Sequence, residues 1–205
     1  MRLYYAPGTI AVAIAICLEE CGLDYDPVLV DFAAGAQTKP DYHAINPKGR
    51  VPALAVGDTI LTETGAILEY LAAVAPQAGL MPADPLVAGH MRSIMYYLAS
   101  TMHVNHAHKM RGHRWADNAE SHADMTAKVP QTMTASAAYV EENAFFGDFV
   151  TGSSISIGDA YLFVVCNWLK GDGVDVDAFP KIQAFLARMN DRASVQNVRA
   201  KGILR

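Results

Sequence analysis

Asn46-Pro47-Lys48-Gly49-Arg50-Val51-Pro52, continued by Ala53-Leu54-Ala55-Val56-Gly57-Asp58-Thr59-Ile60-Leu61-Thr62-Glu63-Thr64-Gly65-Ala66-Ile67, is the stretch on which the fold turns. Asn46 to Gly49 reads as a turn, because Asn, Pro and Gly each favour turn dihedrals. Val51 to Val56 and Thr59 to Leu61 are short apolar runs split by Gly57-Asp58. Two such runs around two turn formers predict a β-hairpin. Thr64 to Val74 then reads as a helix that follows the hairpin directly.

Upstream, Arg2 to Tyr5 predicts a strand and Ala6-Pro7-Gly8 a turn. Thr9 to Cys21 predicts a helix closed by Gly22, a natural residue just past a helix end. Its near-continuous apolar character implies burial on most faces. Tyr25 to Phe32 is a second strand, Ala33 to Gln37 a small flexible stretch, and Lys39 to Ile45 a short irregular helix. The order is β-α-β-α-β-β-α, which makes a small mixed sheet with helices on its faces.

Downstream, Pro76, Gly79, Pro82 and Pro85 mark residues 76–85 as a linker. The first domain is thus 1–75, and everything from 86 to 205 reads as helix. Leu86 to Lys109 is long and unbroken, and Asp117 to Asn143 is interrupted only at Pro130, where a kink or a helix start is expected. Ser156-Ile157-Gly158-Asp159 opens the helix to Leu169 with a capping-box pattern. Pro180 sits near the start of a helix from Phe179 to Met189.

The chain has 205 residues with a net charge of −5, and its sixteen Lys and Arg are scattered. Nucleic-acid binding needs a basic stripe, so that class is disfavoured. Cys17, Cys21 and Cys166 form no disulfide framework. Cys17 and Cys21 read as buried thiols, with a redox pair the weaker alternative because C-x-x-x-C lacks the redox spacing. The apolar run Ile10 to Leu18 is too short to span a membrane. No cleavage pattern follows it, so a cytoplasmic protein is expected.

Three elements in fixed order carry the chemistry: Tyr4-Tyr5-Ala6-Pro7-Gly8-Thr9, then Asn46 to Pro52, then Leu61 to Ile67. Each alone is a weak signal, and together within this β/α order they are strong. With them the chain resembles the glutathione transferase family, most closely its bacterial beta class. The resemblance continues through Leu80-Met81-Pro82-Ala83-Asp84-Pro85 and Ser156-Ile157-Gly158-Asp159-Ala160-Tyr161-Leu162-Phe163. It implies an α/β thioredoxin-like domain followed by an all-α helical-bundle domain, usually as a homodimer. Met91, Met95 and Tyr70 are candidate exposed apolar residues for that contact. Glutathione is the implied co-substrate, a small apolar electrophile the implied partner, and no metal is expected.

The resemblance further implies a cis Val51-Pro52 bond that turns the Val51 N–H and C=O to the cysteinyl part of glutathione. Thr64 and the first N–H groups of its helix suit the γ-glutamyl carboxylate. Glu63 suits the γ-glutamyl amine, and Arg50 is a lower-grade candidate for the polar ends. The plainer readings are a trans proline, a Thr64 that only caps, a Glu63 that only offsets the dipole and a solvated Arg50. Glutathione is expected between the two domains, at the open end of the first. Its thiol belongs at the Tyr5–Thr9–Ile10 corner, where a helix start favours the thiolate. Thr9 is preferred to Tyr5 as the hydrogen-bond donor; its plainer reading is a cap.

Ile10 and Ala11 stand where the class has a cysteine and a Ser/Thr-like residue. His103 matches the class histidine, but Val104 and Tyr96 replace the usual lysine and asparagine. On a helix of about 100° per residue, His103, His106, Met110 and His113 share a face and His108 points away. That face reads as an active-site wall near the glutathione sulfur, as a divalent metal site, or as a polar face without a special role. No carboxylate or cysteine nearby in sequence completes a metal shell. Two alternatives to conjugation stay open: a glutathione-binding carrier or regulator, and a glutathione-dependent reductase or peroxidase.

Overall fold

Tyr4 and Leu3 point to opposite faces of one strand, and that alternation organises the first part of the molecule. The computed structural model describes all 205 residues. Its sheet is built from β1 (Arg2–Tyr5), β2 (Asp26–Leu29), β3 (Ala53–Val56) and β4 (Thr59–Thr62), in the order β2-β1-β3-β4. β1 and β2 are parallel, and the remaining pairs are antiparallel. Helices α1 (Ala11–Glu20), α2 (Pro40–His43) and α3 (Thr64–Val74) complete the β-α-β-α-β-β-α order expected from the sequence.

One sheet face carries Tyr4, Val30, Tyr42 and Ala53, with Val28, Phe32, Ile45 and Val51 packed around them. Tyr4 and Tyr42 meet edge to face at 6.1 Å. Leu3 and Leu54 on the other face are fully buried, and α1 packs on β1. Every residue from Ala11 to Leu18 is buried. Ile14, Ile16 and Leu18 alone each gain about 1.5–3 kcal/mol by leaving water. α1 is enclosed by β1, α3 and α9 (Ala193–Ala200).

That last contact departs from the sequence reading, which placed 86–205 in one helical domain. The chain divides into Met1–Pro82 with Met189–Arg205, and Ala83–Arg188. The C-terminal segment belongs to the first unit because polar side chains tie it to the end of α1. Arg192 donates to both oxygens of Glu20 at 2.6 and 2.8 Å, and Ser194 donates to Glu20 at 2.5 Å. Lys201 reaches Glu19 at 2.5 Å, joined there by Asn197 and Tyr25. Burial works to raise both carboxyls, but these donors outweigh it and hold each below its ordinary value.

The second unit holds α4 (Pro85–Tyr97), α5 (His103–Arg111), α6 (Ala119–Asn143), α7 (Ile157–Trp168) and most of α8 (Pro180–Asn190). The helix expected from Leu86 to Lys109 does run without a gap, from Pro85 to Arg111, but Leu98–Met102 between α4 and α5 is a π turn. The π turn inserts extra backbone and resets which side chains share a face after it. α6 runs through Pro130, which starts no new helix there. At the start of α7 the box is formed. Asp159 accepts the Ser156 N–H at 2.8 Å, the Ser156 hydroxyl at 2.6 Å and the Val150 N–H at 2.8 Å. Gly158 is needed for packing, since a Cβ there would lie 2.8 Å from Met91 Cγ. Met91 and Met95 are therefore core residues, which corrects their reading as exposed surface. No helix is long and apolar enough to cross a membrane.

Candidate functional site

Strand register brings the three motifs to one end of the sheet. Tyr4 pairs with Ala53, and Ala53 pairs with Thr62. The chain leaves β1 toward α1, enters β3 from Val51-Pro52 and leaves β4 toward α3, all at this end. Two strand spacings separate the outer members, about 10 Å. That is the scale of an extended tripeptide.

At the first corner, Gly8 adopts φ 71°. Its N–H donates to the Ile203 carbonyl at 3.0 Å, so the C-terminal tail is part of this corner. The Thr9 hydroxyl donates to the Ala6 carbonyl at 2.7 Å. The first bonds of α1 are Val12 N–H to Thr9 O and Ala13 N–H to Ile10 O. The N–H groups of Ile10 and Ala11 are thus left without an acceptor in the chain. Two open donors at a helix start favour an anion. The Ile10 side chain is buried in the core. Tyr5 is half-buried, and its hydroxyl makes no hydrogen bond within the chain, though it interacts electrostatically with Tyr25. The preference for Thr9 as donor is therefore weakened, because its hydrogen is engaged by Ala6.

The second corner is stapled by Asn46, which the sequence reading treated only as a turn former. Its side chain is buried, accepts the Lys48 N–H at 3.2 Å and donates to the Arg50 carbonyl at 2.7 Å. Tyr42 donates to the same carbonyl at 2.8 Å. Burial pushes the Tyr42 hydroxyl up to about 12, aided by Tyr4 and opposed by Asn46. Gly49 has φ 61°, and a Cβ there would lie 2.8 Å from the Gln37 carbonyl, so only glycine fits. The Val51-Pro52 bond is cis. Val51 itself makes none of the sheet's hydrogen bonds, which begin at Ala53. The Arg50 side chain is exposed.

At the third corner Glu63 precedes α3 with φ 71°, the one non-glycine residue of positive φ. Thr64 is the first helical residue and caps nothing, so the plainer reading of it as a cap does not hold. The first intrahelical bond runs from Ile67 N–H to Glu63 O. The N–H groups of Thr64, Gly65 and Ala66 remain open. Lys48 reaches Glu63 Oε1 at 2.5 Å and the Thr62 hydroxyl at 2.8 Å. Sequence reasoning missed Lys48, although it stands inside the quoted turn.

The histidines lie in the second unit. His106 Nδ1 sits 2.6 Å from Asp172 Oδ2, and its ring stacks on Trp168 with centroids 4.1 Å apart. His103 also packs on Trp168, at 4.9 Å. His108 meets Trp115 edge-on. His113 lies beyond the end of α5, in a 3₁₀ turn, so it does not continue the helical face. Met110 is exposed. Asp172 and Trp168 were not anticipated, because their distance along the chain gives no local signal. No group of three His, Cys, Asp or Glu is arranged to hold a metal ion. Cys17, Cys21 and Cys166 are free and buried, and burial pushes Cys21 and Cys166 up.

Residues 1–73 match the family model for the N-terminal domain of glutathione S-transferases. The chain is 32% identical over 200 residues to glutathione S-transferase GstA of Escherichia coli O157:H7, covering 96% of both. It superposes on a glutathione transferase homologue from Sulfitobacter, solved with bound glutathione, with a TM-score of 0.98. That match has 63% identity over 99% of this chain and 98% of the other. A bacterial beta-class glutathione S-transferase from Sphingomonas chungbukensis matches with a TM-score of 0.84 and 29% identity, covering 98% of each chain. With its sheet, its cis-proline corner and its likeness along nearly the whole length, the chain belongs to the glutathione S-transferase family and is similar to its bacterial beta class.

Proposed function

We propose that the protein joins the thiolate of glutathione to small apolar electrophiles. The observation that carries this reading is the set of unpaired backbone groups at one end of the sheet: Ile10 and Ala11 N–H, Val51, and Thr64 to Ala66 N–H. Glutathione has a group for each. Its γ-glutamyl carboxylate takes the start of α3, with the Thr64 hydroxyl beside it. Its amine takes the Glu63 oxygen that Lys48 leaves open. Its cysteinyl backbone pairs with Val51, at the cis bond to Pro52, as a short strand, and Arg50 offers an outer cation. Its sulfur takes the start of α1. There the open N–H groups favour the thiolate, and the Tyr5 hydroxyl is the available side-chain donor, ahead of Thr9. The thiolate then attacks an electrophile held close to it.

A cysteine-based reductase is disfavoured, because Ile10 offers no thiol and the three cysteines are buried. The carrier reading draws support from the same isoleucine and from the engaged Thr9 hydroxyl. The family likeness supports a cytoplasmic homodimer acting in detoxification, for which sedimentation should give twice the chain mass. Retention on glutathione-agarose, followed by turnover of 1-chloro-2,4-dinitrobenzene, tests the main reading. Retention with turnover above the solution rate is expected; retention without turnover makes the protein a carrier, and no retention removes the site.

A further inference from the structure

The segment that follows α9 turns back on the start of the first helix. α9 closes at Gly202, whose φ is 71°. The Gly202 N–H donates to the Arg199 carbonyl at 2.9 Å, and the Ile203 N–H donates to the Val198 carbonyl at 3.2 Å. That pair of bonds is a Schellman ending, and the residues at its two apolar positions, Val198 and Ile203, are both fully buried. A Cβ on Gly202 would meet nothing within 4 Å, so the backbone angle and not space selects glycine there. Reversed by this turn, the chain brings the Ile203 carbonyl to the Gly8 N–H at 3.0 Å, and Leu204 after it is buried.

Gly8 lies in the turn that aims the start of α1. Within that turn the Thr9 N–H and the Thr9 hydroxyl both donate to the Ala6 carbonyl, at 3.2 and 2.7 Å. Those two bonds are internal: they set the shape of the turn but not where it sits. The bond to Ile203 ties it to another element, and that element is anchored at the far end of α1. There Arg192 and Ser194 hold Glu20, while Asn197 and Lys201 hold Glu19. α9 packs on α1 between these ties. Residues 192–204 thus grip α1 at its end and the turn before its start. The open N–H groups of Ile10 and Ala11 lie between the two grips. A hydrogen bond weakens steeply as its angle departs from linear. Two donors aimed at one sulfur therefore act fully only when the turn that carries them is held.

We propose that residues 202–204 are a positioning element for the thiol corner. The Ile203 carbonyl fixes Gly8, and through Gly8 it fixes the direction of the Ile10 and Ala11 N–H groups. This rests on the reading of that corner as the place of the glutathione sulfur. The same carbonyl keeps the Gly8 N–H occupied, which leaves Ile10 and Ala11 as the pair that faces the anion. Tyr5 is the ionisable side chain at this corner, and Arg205 is the charged residue next to the segment.

Gly202→Pro tests this without changing the charge or length of the chain. Proline cannot take a φ of 71° and has no N–H for Arg199, so the segment is redirected. The thiolate absorbance of bound glutathione is followed against pH in both proteins. In the variant the midpoint should rise by about half a pH unit, about a threefold loss of thiolate at pH 6.5. Turnover should fall by the same factor at that pH and recover above the midpoint, where the thiol is ionised in both proteins. Loss of folded protein would instead lower the signal equally at every pH. Gly202→Ala, opposed only by its backbone angle, should move the midpoint the same way by less, and it decides the matter if the proline variant folds poorly. Arg205→Gln should leave the midpoint where it is. An unmoved midpoint in the Gly202 variants, a lower one, or an equal shift from Arg205→Gln overturns the proposal. A wild type that fails to bind glutathione, or binds it with an unshifted thiol, removes the reading of the corner and this proposal together. A wild type with a lowered midpoint leaves that reading standing whatever the variants do.

Discussion

Replacing Asp159 by Asn should change how stability depends on pH. Asp159 is fully buried at the start of α7 and accepts three hydrogen bonds, from Val150 N–H, Ser156 N–H and the Ser156 hydroxyl. Burial pushes its carboxyl up from the ordinary 3.8 to about 6, and the donors only partly oppose it. A raised value means that the folded state binds the proton more tightly than the unfolded state. The contribution is then complete below about 4 and is lost as pH rises through about 6. Two pH units at about 1.4 kcal/mol each set a ceiling of about 3 kcal/mol. Asn cannot titrate, and its amide hydrogens find no acceptor among these donors, so the variant is less stable throughout. Urea denaturation of both proteins from pH 4.5 to 7.5 gives the difference at each pH. The stability gap between wild type and variant should be wider at pH 4.5 and narrow by about 2 kcal/mol toward pH 7.5, the first part of the ceiling being lost already below pH 4.5. A gap that stays constant, or widens toward neutral pH, refutes the account of this carboxyl.

Thr64→Val should weaken retention on glutathione-agarose, since a hydroxyl at the open start of α3 is lost; equal retention of both forms would count against that corner. Tyr5→Phe should slow turnover roughly tenfold to a hundredfold, the value of about 1.5–3 kcal/mol for a hydrogen bond to a charged sulfur. Thr9→Val should cost less, and the reverse order in a kinetic comparison restores Thr9 as the donor. Gly49→Ala should lower the thermal midpoint and glutathione affinity together, because φ 61° and the Gln37 carbonyl both oppose a Cβ; an unchanged calorimetric trace would show that the turn relaxes freely.

What was legible in the sequence is what neighbouring residues decide. The hairpin at Gly57-Asp58, the apolar α1 and the reach of Asp159 back to Ser156 follow from turn chemistry, period and capping over a few positions. So does the order in which strands and helices alternate. Long-range partners left no trace. Asp172 lies 66 residues from His106, and Arg192 lies 172 from Glu20. An apolar stripe shows that a helix is buried without showing against what, so the sequence gives no sign that Met189–Arg205 groups with Met1–Pro82. The π turn at Leu98–Met102 has neither proline nor glycine to announce it. At the site, the order of the motifs was readable, but the bonding of Thr9 to Ala6 and of Lys48 to Glu63 was not.

The central claim is that the start of α1 holds glutathione as its thiolate. Thiolate absorbance near 240 nm, followed against pH for glutathione bound to the wild-type protein, measures it directly. Free thiols of this kind ionise near 8.5, and a helix start with open N–H groups should move the bound thiol at least about one pH unit lower. A bound thiol that ionises where free glutathione does would contradict the account.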